Sequence, residues 1–141
     1  MRTNGKTYPV VLKETGHLLW MLGFIFIVPA IVSAFCREWY SVAGFIISAV
    51  ITMAFGQALR YLNRKADEPH FNNALIIVAF GWLLATIMGG LPFYVIARIT
   101  PPDVLNGLVP AGASYQSSLL YFRNPLHCFF ESMSAYTTTG L

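Results

Sequence analysis

The sequence predicts an all-α membrane protein, and three observations support that fold class. Hydrophobic residues make up 56% of the 141 residues and charged residues only 11%, whereas soluble globular chains carry about 25% charged residues. Three spans, residues 18–36, 39–59 and 71–97, contain no Asp, Glu, Lys or Arg. Each is longer than the roughly 18 apolar residues that a helix needs to cross a hydrocarbon core about 30 Å thick. A fourth apolar segment near the C-terminus is much shorter, which indicates a re-entrant helix.

The first two spans predict a transmembrane hairpin, which we assign to a domain of residues 1–66. The first span ends at Cys36, the charged turn Arg37-Glu38 follows, and the second span returns. Pro29 is expected to kink the first span, because proline removes a backbone donor and clashes with the preceding turn. A signal peptide is the alternative for the first span. The 19-residue length of the first span and the absence of a small-residue cleavage pattern after it instead favour a retained helix.

The basic residues predict the orientation of the hairpin. Six of the nine lie before the first span or directly after the second: Arg2, Lys6, Lys13, Arg60, Arg64 and Lys65. Positively charged loops remain in the cytoplasm. We therefore expect a multi-pass protein of the cell membrane with a cytoplasmic N-terminus, and an outer segment at residues 98–124.

The third span opens a second predicted domain, residues 67–141. It ends in Gly89-Gly90-Leu91-Pro92, where two glycines and a proline permit a bend and close approach by another helix. A packing seam without further function is an alternative explanation of these residues. Turn-forming residues then predict an outer loop of about 25 residues.

The segment after this loop predicts a short helix followed by a pore loop. Asn124-Pro125 is typical of a helix start, and a helix from about Pro125 to Tyr136 is too short to cross a bilayer. It leads into Thr137-Thr138-Thr139-Gly140. Non-helical backbone at membrane depth is tolerated where it is buried in protein or lines a water-filled cavity. Carbonyl oxygens of such a loop can replace the water shell of a cation.

Glu131 is the only charged residue of this short helix. An ionised carboxylate in hydrocarbon costs several kcal/mol, so Glu131 is expected to face protein or water. It either holds the loop and adds negative potential, or is satisfied by nearby backbone N–H groups or by Arg123.

The stretch from Phe129 to Gly140 resembles the first pore helix and selectivity filter of the TrkH/KtrB family of potassium transporters, and Leu91-Pro92-Phe93 resembles that family's helix before the first pore loop. Ala135 stands where many members have glycine. The hairpin resembles the extra helix pair of TrkH-type members. Residues 67–141 would be the first half of a potassium-channel-like repeat. The resemblance implies a filter of Thr137, Thr138, Thr139 and Gly140, with potassium held by the carbonyls of the last three and with Glu131 and Ser134 supporting the pore helix.

The same resemblance implies several partners. These are repeats 2–4 of the same transporter, a second subunit in a homodimer, a cytoplasmic nucleotide-binding regulatory subunit, and membrane lipid. Potassium would be the transported ion, and no organic cofactor or nucleic acid is expected. The segment alone is not expected to conduct.

Other functions find less support in the sequence. The three histidines are not at metal-ligand spacing with other ligands, and no catalytic constellation is present, so we do not expect an enzyme. The two cysteines are expected to be buried free thiols, with a disulfide between Cys36 and Cys128 as the alternative, which strict geometry disfavours. A small membrane scaffold or accessory subunit without a pore is the alternative function, but it predicts a final helix with a basic face.

Overall fold

The computed structural model describes residues 7–69, 71–110, 114–115 and 117–139, apart from the side chains of 71, 72 and 106. Regular structure in this part of the chain is entirely helical. The helices are α1 (Thr7–Ile25), α2 (Ile27–Phe35), α3 (Trp39–Leu62), α4 (Phe71–Gly89), α5 (Leu91–Ile99), α6 (Pro102–Gly107), a 3-10 helix (Ser118–Arg123) and α7 (Pro125–Tyr136). Three units are long and apolar enough to cross a membrane, namely Thr7–Phe35, Trp39–Leu62 and Asn73–Ile99. The predicted all-α membrane fold is therefore confirmed.

The first span is interrupted at Phe26, between α1 and α2. Pro29 has no N–H to donate to the carbonyl of Ile25, four residues earlier, which explains an interruption at this point. The helix also begins at Thr7, about three turns before the uncharged run starts at Leu18. The early turns are stabilised by contacts with the rest of the protein, since Val10 and Val11 are buried.

The predicted hairpin packs through two glycines. A Cβ added to Gly16 would lie 2.7 Å from the carbonyl oxygen of Gly56, and one added to Gly56 would lie 2.8 Å from that of Gly16. The backbones of α1 and α3 therefore touch, as is common where membrane helices pack through small residues. Farther along, Leu19, Leu22, Phe26 and Ala49 form the buried apolar core.

The third span bends where the sequence predicted it, with α4 ending at Gly89 and α5 beginning at Leu91. Pro92 cannot donate to the carbonyl of Met88, so the ladder is broken at this turn. In this span α4 packs on α1 and α5 packs on α3. The outer segment is more ordered than the turn chemistry indicated, because it contains α6 and the 3-10 helix.

Candidate functional site

The short helix α7 runs from Pro125 to Tyr136, which are the predicted bounds. The side-chain oxygen Oδ1 of Asn124 accepts a hydrogen bond of 3.0 Å from the backbone N–H of Leu126. This cap and the proline at the first helical position explain why the helix starts here. Its 12 residues give a length of about 18 Å, well short of a hydrocarbon core about 30 Å thick.

Contacts along α7 show that it runs antiparallel to the second half of the third span. Phe122, just before α7, lies with its ring 5.1 Å from that of Phe93. Near the other end of α7, the sulfur of Met133 lies 3.8 Å from the hydroxyl of Thr86. Thr86 is the central residue of the 27-residue span Asn73–Ile99. The helix therefore starts near one end of the third span and ends level with its middle, as a re-entrant helix does.

Gly89 and Gly90 form the surface on which α7 rests. A Cβ added to Gly89 would lie 2.5 Å from the hydroxyl oxygen of Ser132 and 2.9 Å from Cε2 of Tyr136. One added to Gly90 would lie 3.0 Å from the carbonyl oxygen of Cys128. Both glycines are therefore required by close approach, and the packing seam that the sequence allowed is the contact between the third span and α7.

Two arginines join the end of α5 to the start of α7. Nε of Arg123 donates to the carbonyl of Ala97 at 3.1 Å, and a guanidinium nitrogen of Arg98 donates to the carbonyl of Arg123 at 3.4 Å. The first bond satisfies a carbonyl in the last turn of α5, where helices lack internal partners. This pair of bonds fixes the depth at which α7 begins.

The C-terminal end of α7 is closed by a Schellman motif. The N–H of Thr138 donates to the carbonyl of Ala135 at 3.3 Å, and the N–H of Thr139 donates to the carbonyl of Ser134 at 3.2 Å. Thr138 has φ of 54°, a left-handed conformation that glycine normally occupies in this motif and that is rare for a β-branched residue.

Hydroxyl groups cross-link the loop to the helix. The hydroxyls of Ser134 and Thr139 lie 3.3 Å apart, and those of Thr137 and Thr139 lie 3.1 Å apart. The Thr137 hydroxyl also donates to the carbonyl of Met133 at 2.8 Å. Ser134 therefore contacts the loop that it was expected to support. Its effect on ion selectivity stays a prediction.

These bonds leave the backbone oxygens of the loop available. Within residues 117–139, no donor reaches the carbonyl oxygens of Thr137, Thr138 or Thr139. They follow the C-terminal end of α7, which carries about half an elementary negative charge. Gly140, the fourth predicted filter residue, lies outside the described residues, so the structure says nothing of its position.

Glu131 is half-buried and lines an open groove of about 560 Å³ with His127 and Phe130. It has no hydrogen bond or ion pair with any described residue. Arg123, which the sequence offered as a partner, is instead bonded to Ala97. The part of Glu131 in supporting the filter stays a prediction.

Sequence reasoning did not anticipate two features of this site. Ser132 is 2% exposed, and its hydroxyl has no hydrogen-bond partner among the described residues. The bonds of Arg98 and Arg123 to backbone carbonyls were also missed. An arginine directly before the Asn-Pro helix start was the available signal for the second feature, whereas nothing in the sequence marked Ser132.

Metal-ligand clusters and disulfides do not contribute to the described site. No group of three or more His, Cys, Asp or Glu among the described residues could hold a metal ion. Both cysteines are free thiols, as predicted, but only Cys128 is buried. Cys36 is exposed because it is the C-cap of α2, beside the turn into α3.

The chain is similar to a protein of Methanocaldococcus jannaschii that is named an uncharacterized cation transporter. The two are 26% identical over 140 residues, which cover 99% of this chain and 24% of the relative. The chain thus spans about a quarter of the relative's length. No protein-family model matches the chain, and no solved structure matches it at a significant level.

Proposed function

We propose that this chain supplies one quarter of the ion path of a cation transporter, and that the ion is potassium. The observation that carries the proposal is the short helix α7, which ends level with the middle of the third span and leads into a loop whose carbonyl oxygens accept no hydrogen bond from the described residues 117–139. Such oxygens can replace the hydration shell of a dehydrated cation. The negative end of the helix favours a cation over an anion.

The similarity to a named cation transporter supports transport, and the resemblance of residues 129–140 to the TrkH/KtrB filter supports potassium and that type of transporter. In this proposal Thr137, Thr138, Thr139 and Gly140 form one of four filter segments. One segment supplies oxygens on one side of a cation only, so the other repeats are required for conduction. The alternative, a scaffold without a pore, does not explain why a helix should end at mid-span.

The remaining partners follow from the same proposal. Repeats 2–4 cover the exposed face of α7, on which Leu126 and Phe130 are 72% and 60% exposed. A homodimer and a cytoplasmic nucleotide-binding subunit complete the assembly by analogy with the family. The assembly lies in the cell membrane as a multi-pass protein, with the N-terminus of this chain in the cytoplasm.

The test is ion uptake by potassium-transport-deficient cells that express the complete transporter carrying this segment. Gly140→Ser adds a side chain and restricts the backbone where glycine has most freedom. We expect potassium uptake to fall and the preference for potassium over sodium to weaken. Gly107→Ser is the matched control, because a Cβ at Gly107 meets nothing within 4 Å.

Three results would contradict the proposal. Unchanged rate and selectivity in Gly140→Ser would remove this loop from the ion path. An equal loss in Gly107→Ser, at equal expression, would show that the assay reports general damage and not filter geometry. Uptake by cells that express only residues 1–141 would contradict the requirement for further repeats.

A further inference from the structure

A second cavity lies beside the turn between α2 and α3. Its volume is about 490 Å³, within the range of about 300 to 1,000 Å³ that small-molecule sites occupy. One wall is the turn Arg37-Glu38 with Trp39, and the other is built from α5 and α6. The ends of all three spans meet here, since α2 ends at Phe35, α3 begins at Trp39 and α5 ends at Ile99.

The walls of this cavity are polar at one side and apolar at the other. Ile96, Val104, Leu108 and Leu119 supply the apolar side, and Arg37 and Glu38 are the charged residues among the described ones that line the cavity. Trp39 is 68% exposed, and tryptophan is enriched where headgroups meet hydrocarbon. A ligand that matches both sides of the cavity is an amphiphile with a charged head and an acyl chain.

The charged side offers a cation and an anion next to each other. The guanidinium of Arg37, which lines the cavity, forms no hydrogen bond or ion pair with a described residue. It is held by a Schellman motif, in which the N–H of Arg37 donates to Ala34 at 3.1 Å and that of Glu38 donates to Ser33 at 2.9 Å. Ser41 donates to Oε2 of Glu38 at 3.1 Å, which leaves the other carboxylate oxygen for a ligand.

We infer that this cavity binds one phospholipid with a primary-amine headgroup, such as phosphatidylethanolamine. The guanidinium of Arg37 takes the phosphate, a geometry that arginine provides in bidentate form. The carboxylate of Glu38 takes the ammonium group, and an acyl chain lies against the apolar wall. Phosphatidylcholine has no N–H to donate to Glu38, and phosphatidylglycerol brings no cation, so both should bind less tightly.

The inference does not rest on ion transport, and the test uses the purified chain in detergent. Binding of dioleoyl phosphatidylethanolamine, phosphatidylcholine and phosphatidylglycerol is measured by native mass spectrometry after removal of endogenous lipid. We expect phosphatidylethanolamine to bind about tenfold more tightly than the other two, because a hydrogen bond to a charged group is worth about that factor.

Three variants locate the site. Arg37→Asn removes the guanidinium and keeps a residue that tolerates the left-handed backbone, and it should weaken all three lipids about tenfold. Glu38→Gln should lower phosphatidylethanolamine to the level of phosphatidylcholine. Val104→Trp fills the apolar side without changing a charge and should weaken all three lipids. Arg64→Asn, in the loop after α3, is the matched control and should bind as the wild type does.

Three outcomes would overturn the inference. They are equal affinity of the wild type for the three lipids, a preference for phosphatidylglycerol, and binding by the variants as by the wild type, that is, a phosphatidylethanolamine preference that survives Glu38→Gln with lipid affinities unchanged in Val104→Trp. Glu38→Gln and Val104→Trp leave Arg37 in place, so the test of the site does not depend on whether Arg37→Asn folds.

Discussion

The contact between Gly89 and α7 predicts that a single methyl group added at Gly89 will displace α7 from the third span. In Gly89→Ala the new Cβ would lie 2.5 Å from the hydroxyl oxygen of Ser132, whereas unstrained contacts between such atoms begin at about 3.5 Å. Relief therefore requires a shift of about 1 Å. Overpacking of this kind costs about 1 to 3 kcal/mol, of which the better helix propensity of alanine offsets about 1 kcal/mol.

Gly81→Ala is the matched control on the same helix. Its Cβ would meet only Cδ1 of Leu18, at 2.9 Å, and the end of a leucine side chain can rotate away. The same gain in helix propensity of about 1 kcal/mol applies. The two variants therefore differ by the overpacking term, about 1 to 3 kcal/mol, which corresponds to about 5- to 150-fold in an equilibrium between seated and lifted α7.

The thiol of Cys128 reports that equilibrium. Cys128 is 2% exposed, and its Sγ donates to the carbonyl of Phe122 at 3.0 Å. In a Cys36→Ser background it is the only thiol of the chain. We expect Gly89→Ala to raise the rate of its modification by N-ethylmaleimide, followed by mass spectrometry in detergent, within that range. Adding Ser132→Ala should restore part of the protection, because it removes the nearest atom.

The result that would refute this reasoning is a Cys128 modification rate in Gly89→Ala equal to that in Gly81→Ala. It would show that α7 is not seated on the third span, and the mid-span position of the loop would lose its support. A rise in both variants would also refute it, because Gly81 does not contact α7.

Two further predictions concern the same helix and the membrane orientation. Ser132→Ala should leave the free energy of unfolding unchanged or raise it slightly, because the hydroxyl is buried without a partner in the described part of the chain. Ser134→Ala should instead lower the free energy of unfolding by about 0.5 to 1.5 kcal/mol through loss of bonds to the loop. Chemical unfolding followed by circular dichroism compares them, and equal effects would contradict the hydroxyl assignment. A cysteine at position 106 should be labelled from outside the cell and one at position 65 only from inside. The reverse pattern would invert the topology.

The sequence allowed prediction of features that depend on neighbouring residues. Pro29 and Pro92 each remove one backbone donor, so the interruptions at Phe26 and Gly90 follow from the identity of one residue. The bounds of α7 follow from the cap at Asn124 and from the loss of helix formers after Tyr136. These are effects over four residues or fewer, and they do not require knowledge of the fold.

Features that depend on distant contacts could not be predicted in this way. The start of α1 at Thr7 is supported by contacts such as the bond from Lys13 to the carbonyl of Ala66, 53 residues away. The sequence offered Arg123 as a partner for Glu131, but the carbonyl of Ala97 accepts its hydrogen bond in the fold. That choice depends on where α5 ends relative to α7, which local patterns do not specify.

Thr138 adopts a left-handed backbone conformation that its residue type disfavours, and this leads to a last prediction. The left-handed backbone costs a residue other than glycine about 1 to 2 kcal/mol, and its side chain is exposed, without a hydrogen bond to the described residues. The hydrogen bonds of the Schellman motif hold this conformation, but they do not require a threonine side chain, and residues that break a local rule are expected at functional sites.

Thr138→Gly should therefore stabilise the chain and impair the transporter. Removing about 1 kcal/mol of strain should slow hydrogen exchange of the Thr139 amide, which donates to Ser134, about fivefold. In the complete transporter the same variant should reduce potassium uptake, because it removes both the strained backbone and the exposed hydroxyl that we propose the filter uses. Thr100→Gly cannot serve as a control for this variant, because it would also remove the hydrogen bond that the Thr100 hydroxyl donates to the carbonyl of Ile96. Faster exchange at Thr139 would contradict the strain argument, and unchanged uptake would remove Thr138 from the filter.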